Sequence, residues 1–321
     1  MSMITPANVR LWHRLGARGT FGAAVLALSE ECENLKVLSA DLVTSSGLDR
    51  LQKSRPEIVI NTGISEQNLI GVASGLAKEG NIVFATSFAP FISMRASEQI
   101  RMNLGYMQHN VKAVAIGSGL AMAHLGNSHY GLEDISVMRS IAGMTVICPA
   151  DGAEIFKTVF AAAKTNIPMY IRLTGGSPNP IVYNEEYDFE IGKAIFIRQG
   201  TDIAIITNGT MLYHSLEAAN LLEQEGISVT VINMHTVKPL DMEAINKVLC
   251  AKAIITVEEH TIIGGLGSAI AEYLTPLRNR PPHLILGLPD VFGKSGDYNW
   301  LLEKYGLTSH GIADSIIKFY S

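Results

Sequence analysis

Short apolar, β-branched runs alternate with longer stretches of helical periodicity along this 321-residue chain. In the first half, runs at 37–39, 58–61, 82–85, 111–116, 145–148 and 169–172 predict strands, and 66–78 and 95–106 predict helices between them. The pattern stops at Gly175-Gly176-Ser177-Pro178-Asn179-Pro180, a stretch dense in breakers, and a charged segment at 184–190 follows. Alternation then resumes, with strands at 203–207, 229–233, 254–257 and 284–287 and helices near 212–225, after Asp241 and after Gly264. This is the signature of the α/β class: parallel or mixed sheets with helices on both faces. The interruption at about 174–192 reads as a linker between two domains of about 150 residues each. No short fixed period recurs, which excludes a solenoid. In open sheets of this kind ligands sit beyond the carboxyl ends of the strands, so polar residues there are the ones to explain.

Composition narrows the class. Hydrophobic residues make up 47% and charged residues 17%, a well-buried globular balance rather than a disordered one. A net charge of −5 argues against an electrostatic nucleic-acid binder. No apolar run approaches the roughly 20 residues of a membrane helix. Arg10, Arg14 and Arg18 followed by apolar 21–28 imitate a signal peptide, but Ser29-Glu30-Glu31 ends the run at once, so an amphipathic helix is expected. Cys32, Cys148 and Cys250 show no CxxC spacing and suit a reducing, cytoplasmic setting.

The most informative stretch is Asn61-Thr62-Gly63-Ile64-Ser65-Glu66-Gln67-Asn68. A strand ends at Asn61, Gly63 permits a sharp turn, Ser65 is placed to cap the next helix, and Glu66 falls in its first turn. Glu66 there fits the helix dipole as readily as a buried functional acid. Phe88 and Phe91 fit a core stripe, His129 a structural histidine, and Arg95, Glu98 and Arg101 a helical ion-pair face. Gly264-Gly265-Leu266-Gly267-Ser268 looks like a phosphate cradle but matches no phosphate-loop spacing, which favours close helix packing. No zinc-ligand spacing, nucleophile elbow or catalytic triad order occurs. Pattern alone yields a two-domain α/β enzyme.

Taken together, these stretches resemble the C-terminal half of transketolase, a thiamine diphosphate enzyme. The resemblance rests on Gly63-Ile64-Ser65-Glu66-Gln67, Ser87-Phe88-Ala89-Pro90-Phe91, Ser128-His129, Cys148-Pro149-Ala150-Asp151, His235 through Leu240, Val257-Glu258-Glu259-His260 and Phe292-Gly293-Lys294-Ser295-Gly296. It implies a pyrimidine-binding domain at 1–178, a linker at 179–192 and a transketolase C-terminal domain at 193–321. The family holds the diphosphate and its Mg2+ through a Gly-Asp-Gly motif, which this chain lacks. The resemblance therefore implies an N-terminal partner subunit carrying the diphosphate and metal site, with no metal ligand here, self-association through the pyrimidine domain, and an α2β2 assembly. It implies transfer of a two-carbon ketol unit from a ketose phosphate to an aldehyde, with neither nucleic acid nor membrane as partner.

Residue by residue, Glu66 matches the glutamate that bonds the aminopyrimidine, and Phe88 and Phe91 match the aromatic pair of that pocket. Asp41 and Ile64 match cofactor contacts, Arg18, Ser45 and Arg172 match sugar-phosphate ligands, and His129 matches a histidine at the reacting end of the substrate. Leu125 stands where the family carries an aspartate that bonds the acceptor's hydroxyl, so an atypical acceptor is expected. A family histidine at the phosphate end aligns with Gly117, and a common tyrosine with Met94. Three alternatives remain at this point: a deoxyxylulose-phosphate-synthase-like subunit, the β subunit of a 2-oxo-acid dehydrogenase, and a degenerate regulatory subunit.

Overall fold

The computed structural model describes residues 3–320. Its first sheet has seven strands and its second has five. In chain order the first sheet takes β1 (Leu35–Ser39), β2 (Val59–Asn61), β3 (Ile82–Phe88), β4 (Val111–Ser118), β5 (Thr145–Ile147) and β6 (Met169–Thr174). The second takes β7 (Ile195–Arg198), β8 (Ile203–Thr207), β9 (Val229–Asn233), β11 (Ala253–Thr261) and β12 (His283–Leu288). The remaining strand, β10 (Thr236–Lys238), lies in the C-terminal half of the chain but pairs antiparallel with β5. The orders are β10-β5-β6-β4-β3-β1-β2 and β12-β11-β8-β9-β7. Apart from β10 and the antiparallel edge strand β7, all pairings are parallel. The mixed-sheet α/β class therefore holds for both halves.

The helices are α1 (Pro6–Leu28), α2 (Asp49–Ser54), α3 (Glu66–Lys78), α4 (Ser97–Gln99), α5 (Asp134–Ser140), α6 (Gly152–Ala163), α7 (Met211–Gln224), α8 (Met242–Asn246), α9 (Leu266–Leu274), α10 (Tyr298–Lys304) and α11 (Ser309–Tyr320). None of the described helices is long and apolar enough to cross a membrane. The N-terminal helix forms as expected, but it breaks at Gly16, whose φ is +67°. A Cβ there would stand 2.9 Å from the carbonyl oxygen of Gly176, so only glycine lets the segment at 176 pass this close. The helix expected at 95–106 is instead two stretches of wide π-type turns, Phe91–Arg95 and Ile100–Tyr106, around the single turn α4. Such bulges commonly mark functional sites.

β4 sits in the middle of its sheet and all eight of its residues are buried, as a parallel strand covered on both faces requires. Beside it, Trp12 of α1 stacks on Phe156 of α6 with ring centroids 4.4 Å apart. The two halves of the chain meet in a polar seam. Asp151 caps α6 and also accepts from the backbone N–H groups of Val182 and Tyr183 at 2.8 Å, which pins the connecting segment. Glu154 accepts from the Asn233 amide at 2.8 Å and from the Ala150 N–H at 2.7 Å. Burial pushes its carboxyl up to about 8. Glu259 accepts from the Leu120 N–H at 2.6 Å, the Tyr298 hydroxyl at 2.8 Å and the Thr210 hydroxyl at 2.9 Å.

The glycine-rich opening of α9 proves to be a packing device. The buried carboxylate of Glu258 accepts from the N–H groups of Leu266 and Gly267, at 2.7 and 2.8 Å. The chain's own acid thus occupies the place an anionic ligand would take.

Candidate active site

Four neighbouring strands, β4, β3, β1 and β2, point their carboxyl ends at one mouth, and most of the residues singled out in the sequence gather there. β2 delivers Asn61, and the chain turns at Gly63 with φ +74° into α3. Ser65 does not cap that helix as expected. Its hydroxyl donates back to the Thr62 carbonyl at 2.8 Å, which leaves the first turn of α3 facing the mouth without a side-chain cap. Glu66 begins α3 and is only 2% exposed. One of its carboxylate oxygens accepts from the Ser87 hydroxyl at 3.1 Å, and the other from the Arg95 guanidinium at 2.7 Å.

The wall of the mouth is aromatic. Phe88 ends β3, and Phe91 begins the first π-type stretch. The ring of His129 stands edge-on to both, at 5.6 Å from Phe88 and 5.2 Å from Phe91. Phe88 and Phe91 meet edge-to-face at 6.0 Å. This spacing makes a right-angled corner rather than a filled stack, a shape suited to a flat ring. The Ser128 hydroxyl lies 2.9 Å from Nδ1 of His129, and the loop before it is tied down where the Asn127 amide donates to the Gly293 carbonyl at 2.6 Å.

Asp41 follows β1 in the left-handed region, at φ +60°. Asn61 holds it there: the amide donates to the Asp41 carboxylate at 2.9 Å, while its oxygen accepts from the Asp41 and Gly63 N–H groups at 3.0 Å. Asp41, Ser45 and Asn61 line a cavity of about 240 Å³. Arg18 donates to the Ser45 carbonyl at 3.2 Å and lines an adjoining space of about 130 Å³ with Gly117, Met122 and Ser177. Larger hollows of about 410 and 430 Å³ lie away from these groups. Chemistry rather than volume marks the site.

Two exposed residues edge this region. Ile64 is 76% exposed and Leu125 is 52% exposed. Neither position is filled by this chain's own core.

Arg172 corrects the reading from sequence. It is 1% exposed, its Nε donates to both oxygens of Asp134 at 2.8 and 3.0 Å, and its NH2 group donates to the carbonyls of Gly131 and Glu259. Its neighbours in β6, Met169, Tyr170, Ile171, Leu173 and Thr174, are all buried. It braces the interior, with Nε and one terminal nitrogen of its guanidinium already committed inside the chain.

Ser87, Arg95 and Asn61 join the site although the sequence assigns them no part in it. Ser87 carries a signal, since it opens the Phe-Ala-Pro-Phe stretch. Spacing puts Arg95 on an ion-pair face with Glu98 and Arg101. Glu98 and Arg101 do pair at 2.8 Å, but Arg95 turns to Glu66, 29 residues away in sequence.

The family descriptions "Transketolase, pyrimidine binding domain" and "Transketolase, C-terminal domain" match residues 14–178 and 192–312. The chain belongs to the transketolase family. It is similar to a putative transketolase C-terminal section of Methanocaldococcus jannaschii, at 40% identity over 94% of this chain and 96% of that one. One subunit of an apulose-4-phosphate transketolase from Phocaeicola vulgatus is 34% identical over 95% of this chain and 97% of its own. Among solved structures, a split-gene transketolase in an inactive β4 tetramer superposes with a TM-score of 0.85 at 40% identity, covering 94% of this chain and 97% of that chain. Over its length the chain corresponds to the C-terminal part of a transketolase, an enzyme family that depends on thiamine diphosphate.

Proposed function

We propose that this transketolase subunit supplies the aminopyrimidine half of a thiamine diphosphate site, and that an N-terminal subunit supplies the half that holds the diphosphate and Mg2+. The observation that carries this is the juxtaposition of a buried carboxylate with an edge-to-face aromatic corner: Glu66, 2% exposed, beside Phe88, Phe91 and His129. A flat, nitrogen-bearing ring fits such a corner. Its face meets aromatic carbon and its edge meets an acceptor. The absence of Gly-Asp-Gly supports assigning the metal to another chain.

Bound there, the cofactor would supply the electron sink for carbon–carbon bond cleavage. The chain's residues would do the rest. Glu66 holds a proton at the pyrimidine nitrogen, and the Ser87 hydroxyl at 3.1 Å fixes the carboxylate's rotamer. Phe88 and Phe91 exclude water from the ring. Asp41, set by Asn61, and the neighbouring Ile64 border the cofactor. His129 faces the reacting end of a sugar substrate, and Arg18 with Ser45 holds its anionic end. Leu125 cannot accept a hydrogen bond from an acceptor hydroxyl, and burying that hydroxyl against it costs about 1–3 kcal/mol. An acceptor lacking or masking that hydroxyl is therefore favoured. The assembly is α2β2 in the cytoplasm, with pyrimidine domains paired about a twofold.

The test is a titration of thiamine diphosphate and Mg2+ into this chain, into its partner and into their mixture. Tight binding and ketol transfer are expected only in the mixture. Turnover by this chain alone would overturn the divided-site reading.

A further inference from the structure

The Arg95 guanidinium, 2.7 Å from a Glu66 carboxylate oxygen, also lies 4.3 Å from the centroid of the Phe91 ring. It is planar, it offers N–H groups to the carboxylate, and it rests against an aromatic face. These are the features that a bound aminopyrimidine would present to the same two side chains. The two donors on Glu66 differ in freedom. Ser87 is wholly buried in β3, whereas the Arg95 side chain is 47% exposed at the end of a π-type stretch. The backbone at Arg95 is held, because its carbonyl accepts from the Gln67 amide at 3.2 Å. The side chain can therefore swing without moving the helix behind it.

We propose that Arg95 is an internal stand-in for the aminopyrimidine, a positioning residue that keeps Glu66 and Phe91 in their working arrangement in the cofactor-free chain and is displaced when cofactor binds. This rests on the reading that Glu66 and Phe91 receive that ring. The stand-in lowers apparent cofactor affinity by the fraction of sites it occupies. It also stabilises the cofactor-free chain. Removing it should therefore move these two properties in opposite directions.

The experiment measures thiamine diphosphate affinity of the assembled two-chain enzyme by calorimetry with Mg2+ present, and the melting temperature of each variant chain without cofactor. Arg95→Gln should tighten binding by about two- to tenfold, the range expected of a half-exposed ion pair with a stacked guanidinium. It should also lower the melting temperature of the free chain. Arg95→Lys, which keeps the charge but loses the planar fork, should fall between. In a Glu66→Gln background the gain from Arg95→Gln should shrink below about twofold, since the pair is already broken. Unchanged or weaker binding in Arg95→Gln, with Glu66→Gln itself weakening binding, would overturn the stand-in while leaving the cofactor site intact. Unchanged binding in Glu66→Gln would remove the cofactor reading, and the stand-in with it.

Discussion

Two of the arginine–carboxylate pairs in the first half of the chain invite comparison because their lengths are nearly equal, Arg95–Glu66 at 2.7 Å and Arg172–Asp134 at 2.8 Å. They do different work because they sit in different surroundings. At the mouth, one partner is buried and the other is half in water, so the pair can open. In the seam, both partners are sealed, and the guanidinium is further committed to two carbonyls. A buried charge left alone is costly, so the sealed pair cannot part without damage to the fold. A motif looks the same in both cases, whereas burial and the number of bonds already made tell them apart.

The largest expected effect lies in the seam. Arg172→Met leaves Asp134 buried without its counter-charge and should cost about 3–5 kcal/mol, read as a lost or sharply lowered unfolding transition. Adding Asp134→Leu should recover much of that loss. If Arg172→Met melts like the parent and loses only sugar-phosphate affinity, the contrast fails. At the mouth, Glu66→Gln should lower ketol-transfer turnover of the two-chain enzyme by at least about 10²-fold while the chain still folds and assembles with its partner. Near-normal turnover would strip Glu66 of its role.

The seam should also respond to pH. The Glu154 carboxyl is held up to about 8 in the fold, against an ordinary value of 4.5. The folded state thus binds more protons than the unfolded one between those values. The stability this group contributes is full below about 4.5 and is lost as pH rises through about 8. Thermal melts from pH 5 to 9 should decline more steeply for the parent than for Glu154→Gln, by about 2–4 °C per kcal/mol of lost stability. Parallel curves would mean that Glu154 does not titrate as its burial demands. The smallest effect is at the rim of the mouth. Leu125→Asp should shift acceptor preference toward ordinary aldose phosphates by up to about tenfold in kcat/KM. No shift would leave specificity to other side chains.

Much of this is legible in the chain's own pattern. The long central strands and α3 announce themselves by periodicity, and the residues gathered at the mouth follow strands because open parallel sheets collect ligands there. Two of the short strands, β7 and β10, escape such a reading. β7 is a half-buried edge and β10 is a single pairing, too short for a period to register. Arg172 misleads when taken alone. Its setting, Met-Tyr-Ile-Arg-Leu-Thr, is a fully buried strand, and an arginine there is braced from within. Spacing cannot reveal the role of Arg95 at all, since its partner is brought close only by the tertiary fold.

β10 gives the boundary between the two halves an unusual property. Thr236 and Lys238 pair with Ile147 and Val146, and the Lys238 ammonium donates to the carbonyls of Arg139 and Ile141. The later half of the chain therefore lends a strand to the sheet of the earlier half. A protease that nicks the connecting segment should release nothing, because the pieces stay stitched through a shared sheet. A gene fragment ending at residue 192 should fare worse than its own compact core suggests. It would bare the flank of β5, an apolar strand with unpaired backbone groups, and would seek other chains to cover it.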